Sequence, residues 1–100
     1  MKRKIVTLCG SMRFYGQMQE ISERLELEKG YAVIGVVAHV LDRTLTEGEK
    51  ALLGELHRAK IDLSDAIFVV NPGGYIGQST ASEIGYARSR GKEIIYLEND

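Results

Sequence analysis

A small α/β domain built on a parallel sheet is the fold this sequence predicts, and three observations predict it. Short apolar, β-branched runs alternate with longer segments whose apolar residues recur at helical spacing, in the order β-α-β-α-β-α-β. Glycines or capping sequences stand at the joints. The chain has 100 residues, the size of one domain with a hydrophobic core of its own. The expected architecture is a three-layer Rossmann-like (flavodoxin-like) domain over residues 1–100. Its four-stranded parallel sheet is expected in the order 2-1-3-4, joined by right-handed crossovers.

The elements follow in turn. Ile5 to Cys9 is apolar and partly β-branched, a buried strand ending at Gly10. From Arg13 to Lys29, the residues Phe14, Met18, Ile21 and Leu25 form the stripe of an amphipathic helix, which Gly30 closes. Tyr31 to Val40 is almost continuously apolar and predicts a strand covered on both faces. Thr46-Glu47-Gly48-Glu49 reads as a capping box opening a second helix, with Leu52, Leu56, Ala59 and Leu63 on its buried face. Ala66 to Val70 is a fully apolar strand, introduced by Asp65 as a turn residue. A glycine-rich loop, Asn71 to Gly77, leads into a third helix near Thr80 that Gly91 ends, and Glu93 to Leu97 is the last strand.

Composition narrows the function classes. Thirteen basic residues against 14 acidic ones give a net charge of -1, without the basic surplus that holds a polyphosphate backbone. Nucleic acid is therefore not an expected partner. One cysteine excludes an intrachain disulfide and any multi-cysteine metal cluster. No apolar run has the length of a membrane span, and Met1-Lys2-Arg3-Lys4 leads straight into a strand, so a soluble cytoplasmic protein is expected. No residue set has metal-ligand spacing, and no metal is expected.

In parallel sheets of this kind ligands bind beyond the carboxyl ends of the strands, which places function in three loops. In Gly10-Ser11-Met12-Arg13, backbone amides, Ser11 and Arg13 can hold an anion at a helix start; alternatively Ser11 caps the helix and Arg13 is a solvated side chain. The loop is neither a Walker A sequence nor a dinucleotide fingerprint. His39 ends the second strand at the ligand edge, to contact substrate or to form a half-buried terminus. In the loop Asn71 to Thr80, Gly73, Gly74 and Gly77 let the backbone approach a ligand, with Gln78 and Ser79 as polar neighbours. Glu83 lies just beyond. It is either the last member of a Thr80-Ala81-Ser82-Glu83 capping box or a nucleophile kept ionised in the first helical turn. Asp62 can reach the ligand edge only if the second helix unwinds there. His57 reads as a solvated helix residue, Cys9 as a small buried apolar one, and Tyr15 and Tyr75 lie near enough to the cleft to stack on a ring.

Four blocks of sequence carry a resemblance: Cys9-Gly10-Ser11-Met12-Arg13, Ala38-His39-Val40, His57 to Ala66, and Gly77 to Ala87 with the following Gly91-Lys92-Glu93-Ile94-Ile95. Together they resemble the nucleoside 2-deoxyribosyltransferase superfamily, including its deoxynucleoside 5′-monophosphate N-glycosidase branch. The resemblance implies a small Rossmann-like domain that cleaves or transfers at an N-glycosidic bond without a cofactor. It implies that Glu83 attacks the anomeric carbon, that Asp62 positions substrate and assists departure of the base, and that Ser11 and Arg13 hold a 5′-phosphate. Six residues before the glutamate the family carries aspartate or serine. This chain has Gly77 there, leaving Gln78 or Ser79 to contact the sugar hydroxyl. The resemblance further implies a homodimer or higher oligomer, and Met12, Phe14, Tyr15 and Met18 cluster where they could cover core or partner.

Two other functions remain compatible with the residues. One is a nucleotide-binding sensor that keeps the cleft without turnover. The other uses Pro72-Gly73-Gly74, which looks like the start of the nucleotide loop of cytokinin-activating phosphoribohydrolases, although the rest of their spacing is not reproduced.

Overall fold

The computed structural model describes residues 2–36 and 44–99. Four strands, β1 (Ile5–Gly10), β2 (Ala32–Ile34), β3 (Ala66–Val70) and β4 (Glu93–Tyr96), form one sheet in the order β2-β1-β3-β4. All three pairings are parallel, with Thr7 opposite both Ile34 and Ile67, and Phe68 opposite Ile95. The predicted α/β class, strand order and parallel sheet are all present. The helices are α1 (Tyr15–Arg24), α2 (Glu47–Leu63) and α3 (Gln78–Ser89). Among the described residues no helix is long and apolar enough to cross a membrane.

Alternation along the central strands divides the interior into two layers. Val6, Leu8, Ala66, Phe68 and Val70 face α1, whose Met18 and Ile21 meet them, with Leu25 from the turn that follows. Cys9, Ile67 and Val69 face the other way, against Ile61 of α2 and Ile84 and Ala87 of α3. β3 lies between β1 and β4 and is buried at every position, as its uniform apolar composition requires. Thr7 is the one polar residue buried in β1. Its hydroxyl bonds the Ser64 hydroxyl and the Lys60 carbonyl, which fastens the end of α2 beneath the sheet.

The helix predicted from Arg13 to Lys29 is built in three pieces: a 3-10 turn (Met12–Phe14), α1, and a wider π turn (Leu25–Lys29) closed by Gly30 in the left-handed region at φ 70°. β2 is much shorter than the predicted strand from Tyr31 to Val40. It is an edge strand paired on one side only, so Ala32 is exposed and Val33 and Ile34 half-buried, and its pairing ends at Ile34. Ala38, His39 and Val40 lie outside the described residues.

The capping box at α2 is present in both halves, with the Glu49 amide donating to Thr46 Oγ1 and the Thr46 amide to Glu49. Its predicted buried face is not. Leu52, Leu56 and Leu63 are 52%, 48% and 72% exposed, and Ala59 is exposed with them. At about 100° per residue, the face turned inward is the opposite one, carrying Gly54, His57, Ile61 and Ser64. The sheet beneath α2 offers Thr7 and Cys9, which select small and polar partners, so the leucine stripe is turned outward.

Candidate active site

Three side chains from three elements meet near the carboxyl end of β1. Cys9 lies in the strand and is fully buried. His57, in the middle of α2, brings Nε2 to 3.3 Å from Cys9 Sγ and to 3.5 Å from Glu83 Oε1 of α3. The Glu83 side chain keeps 23% exposure and the His57 side chain 11%, so the group opens to the surface through the glutamate.

Glu83 arrives there because α3 begins earlier than its sequence predicts. Gly77, in extended backbone, is the N-cap, and the helix starts at Gln78. Thr80 is therefore an inward-facing residue of the first turn, not a cap, and the predicted Thr80–Glu83 capping box does not form. Glu83 falls in the second turn and points at the sheet. Away from the helix end, burial dominates its electrostatics and pushes its carboxyl up to about 7, against the smaller opposing influence of the Cys9 thiol and Arg58. The expectation of a carboxylate held ionised by the first turn is corrected accordingly. Burial likewise lowers His57 to about 4, aided by nearby Lys60, so the imidazole is neutral at neutral pH. Burial and the neighbouring Glu83 push the Cys9 thiol up, keeping it protonated.

His57 and Asp62 do not lie where the sequence places them. His57, expected to be solvated, is buried beside Glu83. Asp62, expected at the catalytic edge, sits one helical turn or more away, because α2 continues to Leu63 without unwinding. Both Asp62 carboxylate oxygens accept from the Tyr86 hydroxyl at 2.9 Å, and Arg90 Nε donates to Oδ1 at 3.1 Å. The Tyr86 hydrogen bond, then Arg90, holds Asp62 below the usual carboxylate range. Its place is that of a clasp between the ends of α2 and α3. Asp62→Asn is expected to lower Tm slightly and to leave any turnover within about threefold of wild type; a loss comparable to that of a Glu83 variant would restore the catalytic assignment.

The first loop supports one rim of the cleft. A Cβ on Gly10 would lie 2.8 Å from Met18 Cε and 3.1 Å from the Val70 carbonyl oxygen, so a larger residue there would require the Met18 side chain and β3 to give way. Ser11 Oγ accepts from the Arg13 amide at 3.3 Å, the capping geometry expected of it. The Arg13 guanidinium lies 4.4 Å from the Tyr75 ring centroid, and Phe14 meets the same ring edge-on at 5.9 Å. This contact joins the first loop to the third. Met12, Tyr75 and Ile76 are exposed along that rim, whereas Met18 is wholly core and Phe14 and Tyr15 are half-buried.

In the third loop, Gly73 and Gly74 both adopt left-handed backbone, at φ 66° and 81°, which a larger residue resists. Glu98 pins this loop: its amide donates to Asn71 Oδ1, its carbonyl accepts from Asn71 Nδ2, and its carboxylate accepts from the Gly73 amide at 3.1 Å. Gln78 and Ser79 are exposed at the start of α3, and Gly77 is half-buried under the Tyr75 hydroxyl.

Sequence reasoning missed His57 and Cys9. A second, weaker stripe on α2, Gly54-His57-Ile61-Ser64, was the available signal, and the leucine stripe outweighs it. Likewise no metal was expected, yet Cys9, His57 and Glu83 present ligand atoms all within 4.8 Å of one another.

Fold and site together define a Rossmann-like α/β domain with a partly buried carboxylate at the carboxyl edge of its sheet. Among solved structures it superposes on a conserved protein from Enterococcus faecalis V583 with a TM-score of 0.68 over 99% of this chain, at 18% sequence identity. This chain spans 65% of that protein's chain, and the likeness establishes the fold alone. No protein-family model and no curated protein matches the sequence.

Proposed function

We propose that this protein cleaves, or transfers across, the N-glycosidic bond of a nucleoside or nucleoside 5′-monophosphate, with Glu83 as the nucleophile. The observation that carries the reading is the place of Glu83: a carboxyl group near the carboxyl end of β1, its side chain 23% exposed, with the neutral His57 ring Nε2 3.5 Å from Oε1. The transition state of such a cleavage resembles an oxocarbenium ion, and a carboxylate in a low-dielectric setting stabilises that charge more strongly than it would in water. In the first step a Glu83 oxygen bonds to the anomeric carbon as the carbon–nitrogen bond breaks. The electron pair leaves with the base, which takes a proton from solvent. In the second step water, or another base, attacks the same carbon; Glu83 departs as carboxylate and the attacking group releases its proton. Ser11, Arg13 and the Gly10 loop are suited to anchoring a phosphate remote from the reacting bond, and the exposed rim of Met12, Tyr75 and Ile76 to covering a ring.

Incubation with ribo- and deoxyribonucleosides and their 5′-monophosphates, followed by assay for free base, is the direct test. Release from at least one member is expected. Folded protein that binds a nucleotide but frees no base would overturn the reading in favour of a sensor.

Self-association belongs to the same proposal. Leu52, Leu56 and Leu63 line one outward face of α2, with the 46%-exposed Leu53 at its edge. A continuous apolar stripe of this kind on an amphipathic helix fits a second copy of the chain. Sedimentation is expected to show a dimer or larger species for the wild type and a monomer for Leu56→Glu. A monomeric wild type at micromolar concentration would exclude it.

A further inference from the structure

We infer that Cys9, His57 and Glu83 form a three-ligand site for a borderline-soft divalent cation of the zinc class, and that an ion seated there shuts off the Glu83 carboxylate. The donor set is one sulfur, one imidazole nitrogen and one carboxylate oxygen, the combination zinc accepts and magnesium or calcium does not favour. The two spacings that His57 makes fit as well as the chemistry. Tetrahedral zinc, with bonds of about 2.3 Å to sulfur and about 2.0–2.1 Å to nitrogen and oxygen, spaces its ligands by roughly 3.5 Å (sulfur to nitrogen) and roughly 3.4 Å (nitrogen to oxygen). Here Cys9 Sγ and His57 Nε2 are 3.3 Å apart, and His57 Nε2 and Glu83 Oε1 3.5 Å.

The surroundings suit a held ion. The three donors come from β1, α2 and α3, each fixed by the packing of Ile61, Ile67, Val69 and Ile84 around Cys9, so little ordering remains to be done on binding. Glu83 is the most exposed of the three, so an ion would enter from its side. Binding forms a metal–sulfur bond and expels the Cys9 thiol proton to solvent, with no change of oxidation state. Coordination through one Glu83 oxygen draws charge from the whole carboxylate and holds it towards the ion, which lowers the nucleophilicity of the other oxygen towards an anomeric carbon. That inhibitory consequence rests on the reading of Glu83 as nucleophile; the binding itself does not.

Cobalt(II) titrated anaerobically into chelator-stripped protein tests the site without any substrate. Expected is one ion per chain, a thiolate-to-cobalt charge-transfer band, visible bands of tetrahedral intensity, and bleaching of both by added zinc. Cys9→Ser should remove the charge-transfer band, and His57→Ala should weaken binding by at least about tenfold. Circular dichroism checks that each variant is folded. Should Cys9→Ser fail to fold, Glu83→Gln serves in its place, with the band kept and affinity lowered by a similar factor. Folded wild type without a charge-transfer band, a band unchanged in folded Cys9→Ser, or cobalt affinity unchanged in His57→Ala and Glu83→Gln, would overturn the site. The regulatory half is read separately, as a loss of base release of at least about tenfold under saturating zinc that a chelator reverses. Unchanged or faster release would overturn that half alone. Absence of base release under every condition would count against the proposed function and leave the cobalt result standing.

Discussion

Glu83→Gln is expected to abolish base release, lowering turnover by at least about 10³-fold while the fold persists. Gln matches Glu in size and keeps a polar group beside Cys9 and His57, but its amide cannot form the glycosyl ester. The same substitution should stabilise the protein, with a pH dependence whose sign follows from burial. The Glu83 carboxyl has its folded-state value raised to about 7 from an ordinary 4.5. A group raised in this way favours the folded state below its unfolded value, and that advantage is lost as pH rises through the folded one. Above pH 7 the wild type therefore carries an ionised, poorly solvated carboxylate that costs about 3 kcal/mol. Glu83→Gln removes that cost. Its Tm should exceed that of the wild type by roughly 10 °C at pH 8 and by much less at pH 5. Differential scanning calorimetry at the two pH values measures this, and a variant less stable at pH 8 would show that Glu83 is not under-solvated. Loss of turnover with gain of stability is the signature of a group placed for chemistry at the expense of the fold.

The pH profile of base release carries the second large effect. A nucleophilic carboxylate works only when ionised. With Glu83 at about 7, roughly 1% is ionised at pH 5 and half at pH 7, so kcat/KM should rise about 50-fold over that interval and level off by about pH 8–9. His57, lowered to about 4, stays neutral across most of this range and adds no limb of its own. A nucleoside substrate avoids the second ionisation of a phosphate near pH 6, and a chelator keeps the cluster free of metal. A profile that falls through pH 7 would instead make Glu83 a proton donor. A flat profile would remove it from the rate-determining chemistry.

Much of the fold was legible in the sequence, for identifiable reasons. β3 lies where predicted, as do Met18 and Ile21 of α1 and Leu25 of the turn that follows, because β3 is apolar at every position and the stripe on α1 has no rival face. The sheet order followed from the β-α-β alternation and the hand of its crossovers. What failed were features decided by a neighbour. β2 stops pairing with β1 at Ile34 although the apolar run continues, and composition does not say where along such a run a neighbour ceases to pair. On α2 two stripes competed, and the more apolar one turned outward because β1 offers a hydroxyl and a thiol beneath the helix.

For the site, the sequence by itself determined that a glycine-rich loop over residues 71–77 leads into a helix that carries Glu83, since local pattern is enough to place a loop and a helix, though not the residue at which the helix starts. It could not determine what Glu83 faces. Cys9, His57 and Glu83 are separated by 48 and 26 residues, and no local spacing connects them. Only the tertiary structure decided that His57 and not Asp62 stands beside the glutamate, because that choice depends on which face of α2 the sheet accepts. The perturbed carboxyl has the same origin: burial is a property of packing, and it exists only once the three elements have closed over the end of β1.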